Sequence, residues 1–189
     1  VFTVSWFSVG GSVAHYLTRR YIFLDSRMLH QIEKWIDQVN IEYQEQRISC
    51  SKFFGEFKGF YSLEFLQQSY FVIVDTIPKP NFPELRHMGL GDFIDMEVHG
   101  ITYKNTYYVF PQFASDLRLH FHELVHVAQW RHLGAIPFME RYITEIQTSG
   151  YYEAPLEKMA YAFDDHFTKG GKKIDVPNYV AKEFNKAFK

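Results

Sequence analysis

The sequence predicts an α+β fold, mostly helical, with a small sheet. Three observations carry this. Met28, Leu29, Ile32, Trp35, Ile36, Val39 and Tyr43 recur at helical spacing, so the chain from Asp25 to about Gln46 reads as an amphipathic helix. Phe71-Val72-Ile73-Val74 is a compact β-branched run of the kind that forms a buried strand. From about residue 116 onward, apolar residues return to helical periodicity in successive segments separated by Gly and Pro. Strands early and helices late, with no repeat and no linker, place residues 1–189 in a single domain with an N-terminal helical extension of about residues 1–60.

The remaining elements follow in order. Residues 1–24 show no clear period. Asp25 or Ser26 caps the first helix, and Ser62 starts a shorter one through about Ser69. Pro78, Pro80 and Pro83 impose an irregular, extended segment, which Gly89 and Gly91 continue as a loop. Glu97–Thr102 and Thr106–Phe110 read as two strands of a hairpin turning near Lys104-Asn105. Asp116 is a helix cap; Leu117, Phe121, Leu124, Val125 and Ala128 form an apolar face behind it, and Gly134 is the stop. Arg131 and His132 fall in that helix's last turn, where its dipole favours cations. Further helices are expected at about Pro137–Ser149, from Pro155 onward, and at Tyr179–Phe188.

Composition narrows the function classes. With 189 residues, 47% apolar and 19% aromatic, the chain can bury a large core of rings. A net charge of -2 without any long Lys/Arg run gives no reason to expect a nucleic-acid partner. The single Cys50 excludes an internal disulfide and a Cys-based zinc site. No stretch reaches transmembrane length. The apolar start, Val1 to Val9, is short and lacks basic residues, so it makes a poor signal peptide, and the cytoplasm is the expected location. Oligomeric state is not legible.

The chemistry-bearing feature is His122-Glu123-Leu124-Val125-His126. Residues four apart share a helix face, so both imidazoles can reach one metal ion, and Glu123 is placed to handle the proton of a water there. With nine histidines the pattern also arises by chance at a rate of roughly a few per cent, but here it lies within a well-delimited helix, at the edge of its apolar stripe. Catalytic zinc takes three protein ligands and leaves a position open. The third ligand should come from downstream, where Glu153, Glu157 and His166 are candidates. Glu157 is preferred because it falls in the first turn of the helix opened by Pro155, although a Glu there also serves as an ordinary helix-start carboxylate. Glu153 precedes the helix in a Tyr-rich turn, and His166 reads as a surface histidine. His120 lies on the opposite side of the motif helix, and His15, His30, His87 and His99 read as scattered exposed or core histidines. Asp92, Asp95 and Glu97 lack calcium-loop spacing and read as a solvated acidic loop.

His122-Glu123-Leu124-Val125-His126-Val127-Ala128-Gln129-Trp130, followed by Pro155-Leu156-Glu157-Lys158-Met159-Ala160-Tyr161, resembles the gluzincin class of metallopeptidases, and most of all the small bacterial zincin-like domains with HELxHxxQ and a later PLExxA. The segment Gly100 to Val109, with Thr102, Asn105 and Thr106, is similar to the strand that precedes the motif in such domains. The likeness spans about residues 98–165. It implies a zincin-like fold, with an edge strand beside the motif helix, and Zn2+ held by His122, His126 and Glu157. It implies a metallopeptidase acting on a peptide or protein substrate, with Glu123 as general base and the strand Thr106–Phe110 aligning the peptide by edge pairing. Two features depart from thermolysin-like gluzincins. Tyr161 stands where those enzymes carry an Asp that orients a zinc-bound His, leaving Asp164 or a backbone carbonyl for that task, and an additional helix lengthens the gap between His126 and Glu157. Tyr151, Tyr152, His132 and His166 are candidate oxyanion donors among which the sequence does not choose. A non-catalytic binding module and a metal-dependent hydrolase of a non-peptide substrate remain the alternative readings.

Overall fold

A computed structural model describes residues 26–186. Readings that concern residues 1–25, including the cap at Asp25 and His15, lie outside them, as do the last residues of the expected C-terminal helix. Helix α1 (Ser26–Glu42) buries Leu29, Ile32, Ile36 and Val39, the face that its periodicity picks out. Strand β1 (Ile48–Ser49), a single-turn helix α2 (Phe54–Phe57) and helix α3 (Leu63–Gln67) lead into β2 (Tyr70–Ile73). Ser62 caps α3 by accepting a hydrogen bond from the Phe65 amide at 3.1 Å.

The segment after β2 corrects one expectation. The chain stays irregular through Asn81, but the run containing Gly89 and Gly91 is wound into short helical turns, α4 (Pro83–Leu85), a wide turn at Arg86–Leu90 and α5 (Gly91–Asp95). Pro83 occupies the first helical position, where its missing N–H costs nothing, and Leu85, Met88, Leu90 and Ile94 turn inward to make the turns worth forming. Gly89, at φ 80°, breaks what would otherwise be one helix. The acidic residue Asp95 is engaged by a two-pronged contact from Arg86 at 2.7 and 2.8 Å.

Strands β3 (Gly100–Tyr103) and β4 (Thr106–Val109) form the expected antiparallel hairpin, with Lys104 at φ 61° in its turn. The mixed four-stranded sheet runs β1-β2-β4-β3, with β2 parallel to β4. This order corrects the reading of Thr106–Phe110 as the strand available for edge pairing. β4 is hydrogen-bonded on both sides, and among the described residues the edges are β1 and β3, of which β3 lies beside α6. Four long helices complete the fold: α6 (Leu117–Leu133), α7 (Ala135–Ser149), α8 (Pro155–Thr168) and α9 (Val176–Lys186). The described residues are thus α+β, predominantly helical.

Caps and rings explain how α6 is held. The Asp116 carboxylate accepts from the amides of Arg118 and Leu119 at 2.9 and 3.2 Å, and Gly134 at φ 80° ends the helix. α6 is buried from His120 to Trp130, because it runs through the molecule between α8, α9 and the sheet edge. Phe121 is the hub of an aromatic cluster, stacked on Phe167 at 4.5 Å and edge-on to Phe57 and Phe60. His120, on the side of α6 opposite His122, is a buried core histidine. Its Nδ1 accepts from the Tyr107 hydroxyl at 2.7 Å, and its Nε2–H donates to the Ala114 carbonyl at 3.1 Å. Burial keeps it neutral by lowering its pKa. Among the described residues no helix is long and apolar enough to cross a membrane.

Candidate metal centre

The site forms where α6 crosses α8. His122 and His126 project from one face of α6, while Glu157, in the first turn of α8, faces them. One ligand atom from each of the three lies within 4.8 Å of the others. His122 Nε2 and His126 Nε2 are 3.2 Å apart, and the Glu157 carboxylate oxygens lie 3.4 and 3.5 Å from them. All three side chains are buried.

Each imidazole is oriented through its far nitrogen. His122 Nδ1–H donates to Asp164 Oδ2 at 2.9 Å, and Arg118 holds the other oxygen of that carboxylate at 2.8 Å. His126 Nδ1–H donates to Gln129 Oε1 at 2.8 Å, and Gln129 is itself pinned by donating to the Leu156 carbonyl at 3.0 Å. With Nδ1–H committed in both rings, the Nε2 lone pairs point at one another and at Glu157. Asp164 therefore takes the orienting position left open by Tyr161. Residues 157, 161 and 164 share one face of α8, and Tyr161 packs its ring on His122 at 4.7 Å.

Glu123 points to the sheet. Its Oε2 accepts from the Thr102 hydroxyl at 2.6 Å, and Trp130 Nε1–H donates to the Thr102 carbonyl at 3.1 Å, which fastens α6 along the β3 edge. Gly100 is required by this contact: a Cβ there would lie 2.6 Å from Glu123 Oε1. Glu157 Oε1 accepts from the Tyr142 hydroxyl at 2.7 Å, whereas Glu157 Oε2 is buried with no hydrogen-bond donor among the described residues.

The electrostatics reflect this crowding. Burial alone would lower the His122 pKa, but the Asp164 and Glu157 carboxylates outweigh it and raise it to about 10. His126 is raised for the same reason, mainly by Glu157 against the cost of burial. Burial pushes Glu157 upward, yet His126 and His122 hold it well below the usual carboxylate range. Glu123 is raised by burial, with the histidines and Thr102 offsetting part of the effect.

These residues fit a metal ion. Two imidazole lone pairs and an undonated carboxylate oxygen converge, and only a proton or a cation reconciles them at this separation. A bound cation replaces the protons that the histidines hold without it. Metal binding at about pH 8 should therefore release about one proton or more, and affinity should rise as pH rises toward the His122 pKa. Calorimetry in two buffers of different ionisation enthalpy measures that number, and zero release would contradict the converging geometry.

The other candidates fall elsewhere. Glu153 is exposed and pairs with Lys158 at 2.8 Å. His166 bonds the Lys172 carbonyl at 2.7 Å, and His132 stacks on Phe184. Tyr151 and Tyr152 do line the cleft beside Glu123. Thr102, Gly100 and Gln129 entered the sequence reading only within the segments that carry the resemblance, without a partner or role, and Tyr142 did not enter it. Compared with protein-family models, curated proteins and solved structures, the chain matches none.

Proposed function

We propose that this chain is a zinc-dependent hydrolase of the gluzincin type, with a zincin-like arrangement of α6 beside the β3 edge, cleaving peptide bonds. The observation that supports this reading best is the convergence of His122 Nε2, His126 Nε2 and the Glu157 carboxylate, with a separate buried carboxylate, Glu123, beside them in an open cleft. Two histidines and one Glu match the donor set of catalytic zinc, and His122, His126 and Glu157 would hold it. A zinc ion supplies Lewis acidity, which makes water acidic enough to attack near neutral pH.

The chain's own residues do the rest. Glu123 accepts the proton of the attacking water and returns it to the leaving amine, a task that its raised pKa suits. Thr102 holds one carboxylate oxygen, and Gly100 leaves room for the other. Asp164 and Gln129 fix both imidazoles with Nε2 turned inward. β3, as the edge strand at the cleft, is the element that aligns an extended peptide.

The test is zinc content together with cleavage of a peptide library, before and after chelation. About one zinc per chain and chelator-sensitive cleavage are expected. Full zinc with no cleavage of any peptide would favour a binding module instead. A sharper prediction concerns Gly100→Ala. The backbone there is compatible with Ala, so the substitution displaces the Glu123 carboxylate rather than the fold. Cleavage should fall roughly tenfold to a hundredfold while zinc content and melting temperature stay near those of the parent. Unchanged kcat would show that Glu123 need not sit where β3 holds it.

A further inference from the structure

The cleft is asymmetric. On the side of His122 its lining is mixed, with His99, Asp116, Arg118 and Asp164 beside Met96, Phe113 and Leu119. On the side of His126 and Glu157 it continues into a cavity of about 100 Å³ whose far walls are aliphatic. Ile32 and Ile36 come from α1, Ile94 from α5, and Met139, Ile143 and Ile146 from α7. Gly100, Glu123 and Tyr151 border both sides, so the two regions meet at the candidate catalytic carboxylate.

Three of the hydroxyls that reach this cavity from the described residues are already engaged: Thr102 donates to Glu123, Tyr103 to the Pro78 carbonyl at 2.8 Å, and Tyr142 to Glu157. Water entering the cavity would find few partners, and such a space favours an apolar occupant. Its size sets the class, since an apolar cavity of about 150 Å³ accepts benzene.

Resting on the hydrolase reading, we propose that this cavity is a specificity pocket for an unbranched or γ-branched aliphatic side chain, that of Leu or Met, on the substrate residue flanking the scissile bond on the His126 side. The pocket gives a role to α1, to the turns around α5, and to α7, the helix that lengthens the gap between His126 and Glu157. None of these carries the metal-binding motif, and together they build the aliphatic wall.

The test separates binding from turnover. N-acetyl-leucinamide is titrated into the metal-free chain, with isoleucine methyl resonances as the readout and N-acetylglycinamide as the control. Leucinamide should bind at least about tenfold more tightly and shift the methyls of Ile143 and Ile146. Ile143→Trp, which fills the pocket, should remove that preference. Met139→Ala, which enlarges it, should move the preference toward N-acetylphenylalaninamide, and it reads the pocket even where the Trp variant does not fold. In the zinc-loaded chain the same substitutions should shift which library peptides are cleaved. Equal binding of the Leu and Gly probes, or a Leu preference unchanged in every folded variant, overturns the proposal. Leu-selective binding with no cleavage would keep the pocket and reject the hydrolase; cleavage with no side-chain preference and no probe binding would do the reverse.

Discussion

Glu123→Gln is expected to abolish peptide hydrolysis, by about 10²–10⁴-fold in kcat, while leaving about one zinc per chain. Gln keeps the shape of Glu and can still accept from Thr102, so α6 stays fastened to β3. What is lost is basicity. The Glu123 carboxylate is bonded to Thr102 on the sheet side and is not one of the converging ligand groups, so its replacement should not empty the site. Kinetics with a cleavable peptide, run beside metal analysis by mass spectrometry, give both readouts. A variant that keeps its activity, or that loses zinc along with it, would mean that the general-base assignment is wrong.

Much of this site was legible because helices impose a period. The spacing of His122 and His126 needs no tertiary knowledge, nor does the Asp116 cap or the Gly134 stop. Glu157 was legible for a related reason: Pro155 fixes where α8 starts, and the start fixes which way residue 157 points. Asp164 was harder, because seven residues beyond Glu157 it lies on the same helix face but outside the spacing of the motif that the sequence offers. Thr102 and Gly100 were visible only as members of a strand segment, and their contact with Glu123 was not legible. Their importance comes from the register in which β3 meets α6, a long-range contact with no local imprint. The exchange of edge strands has the same origin. The hairpin was visible in the sequence, but which strand β2 would pair with was not, and β2 lies parallel to β4 and leaves β3 outside. The turns at Pro83–Asp95 were read as loop because Pro and Gly dominate the local signal, whereas burial of Leu85, Leu90 and Ile94 decides the outcome.

Glu157→Ala should strip the metal site. The substitution removes the only carboxylate among the three converging groups and leaves two imidazoles with their Nε2 atoms 3.2 Å apart. Zinc affinity should fall by at least about a hundredfold, beyond the 10–100-fold expected when only an outer hydrogen-bonding partner is removed. Two comparisons make the result specific. Tyr142→Phe removes the donor to Glu157 Oε1 but keeps both carboxylate oxygens, so its loss of affinity should stay within that smaller range. Glu153→Ala should retain its zinc, because Glu153 is exposed and paired with Lys158. Competition with a chromogenic chelator ranks the three variants against the parent. Strong zinc binding by Glu157→Ala, or loss confined to Glu153→Ala, would move the third ligand away from α8. Loss in Glu157→Ala together with retention in Glu123→Gln would separate the group that holds the metal from the group that moves the proton, and that separation is what distinguishes a catalytic HExxH centre from a structural one.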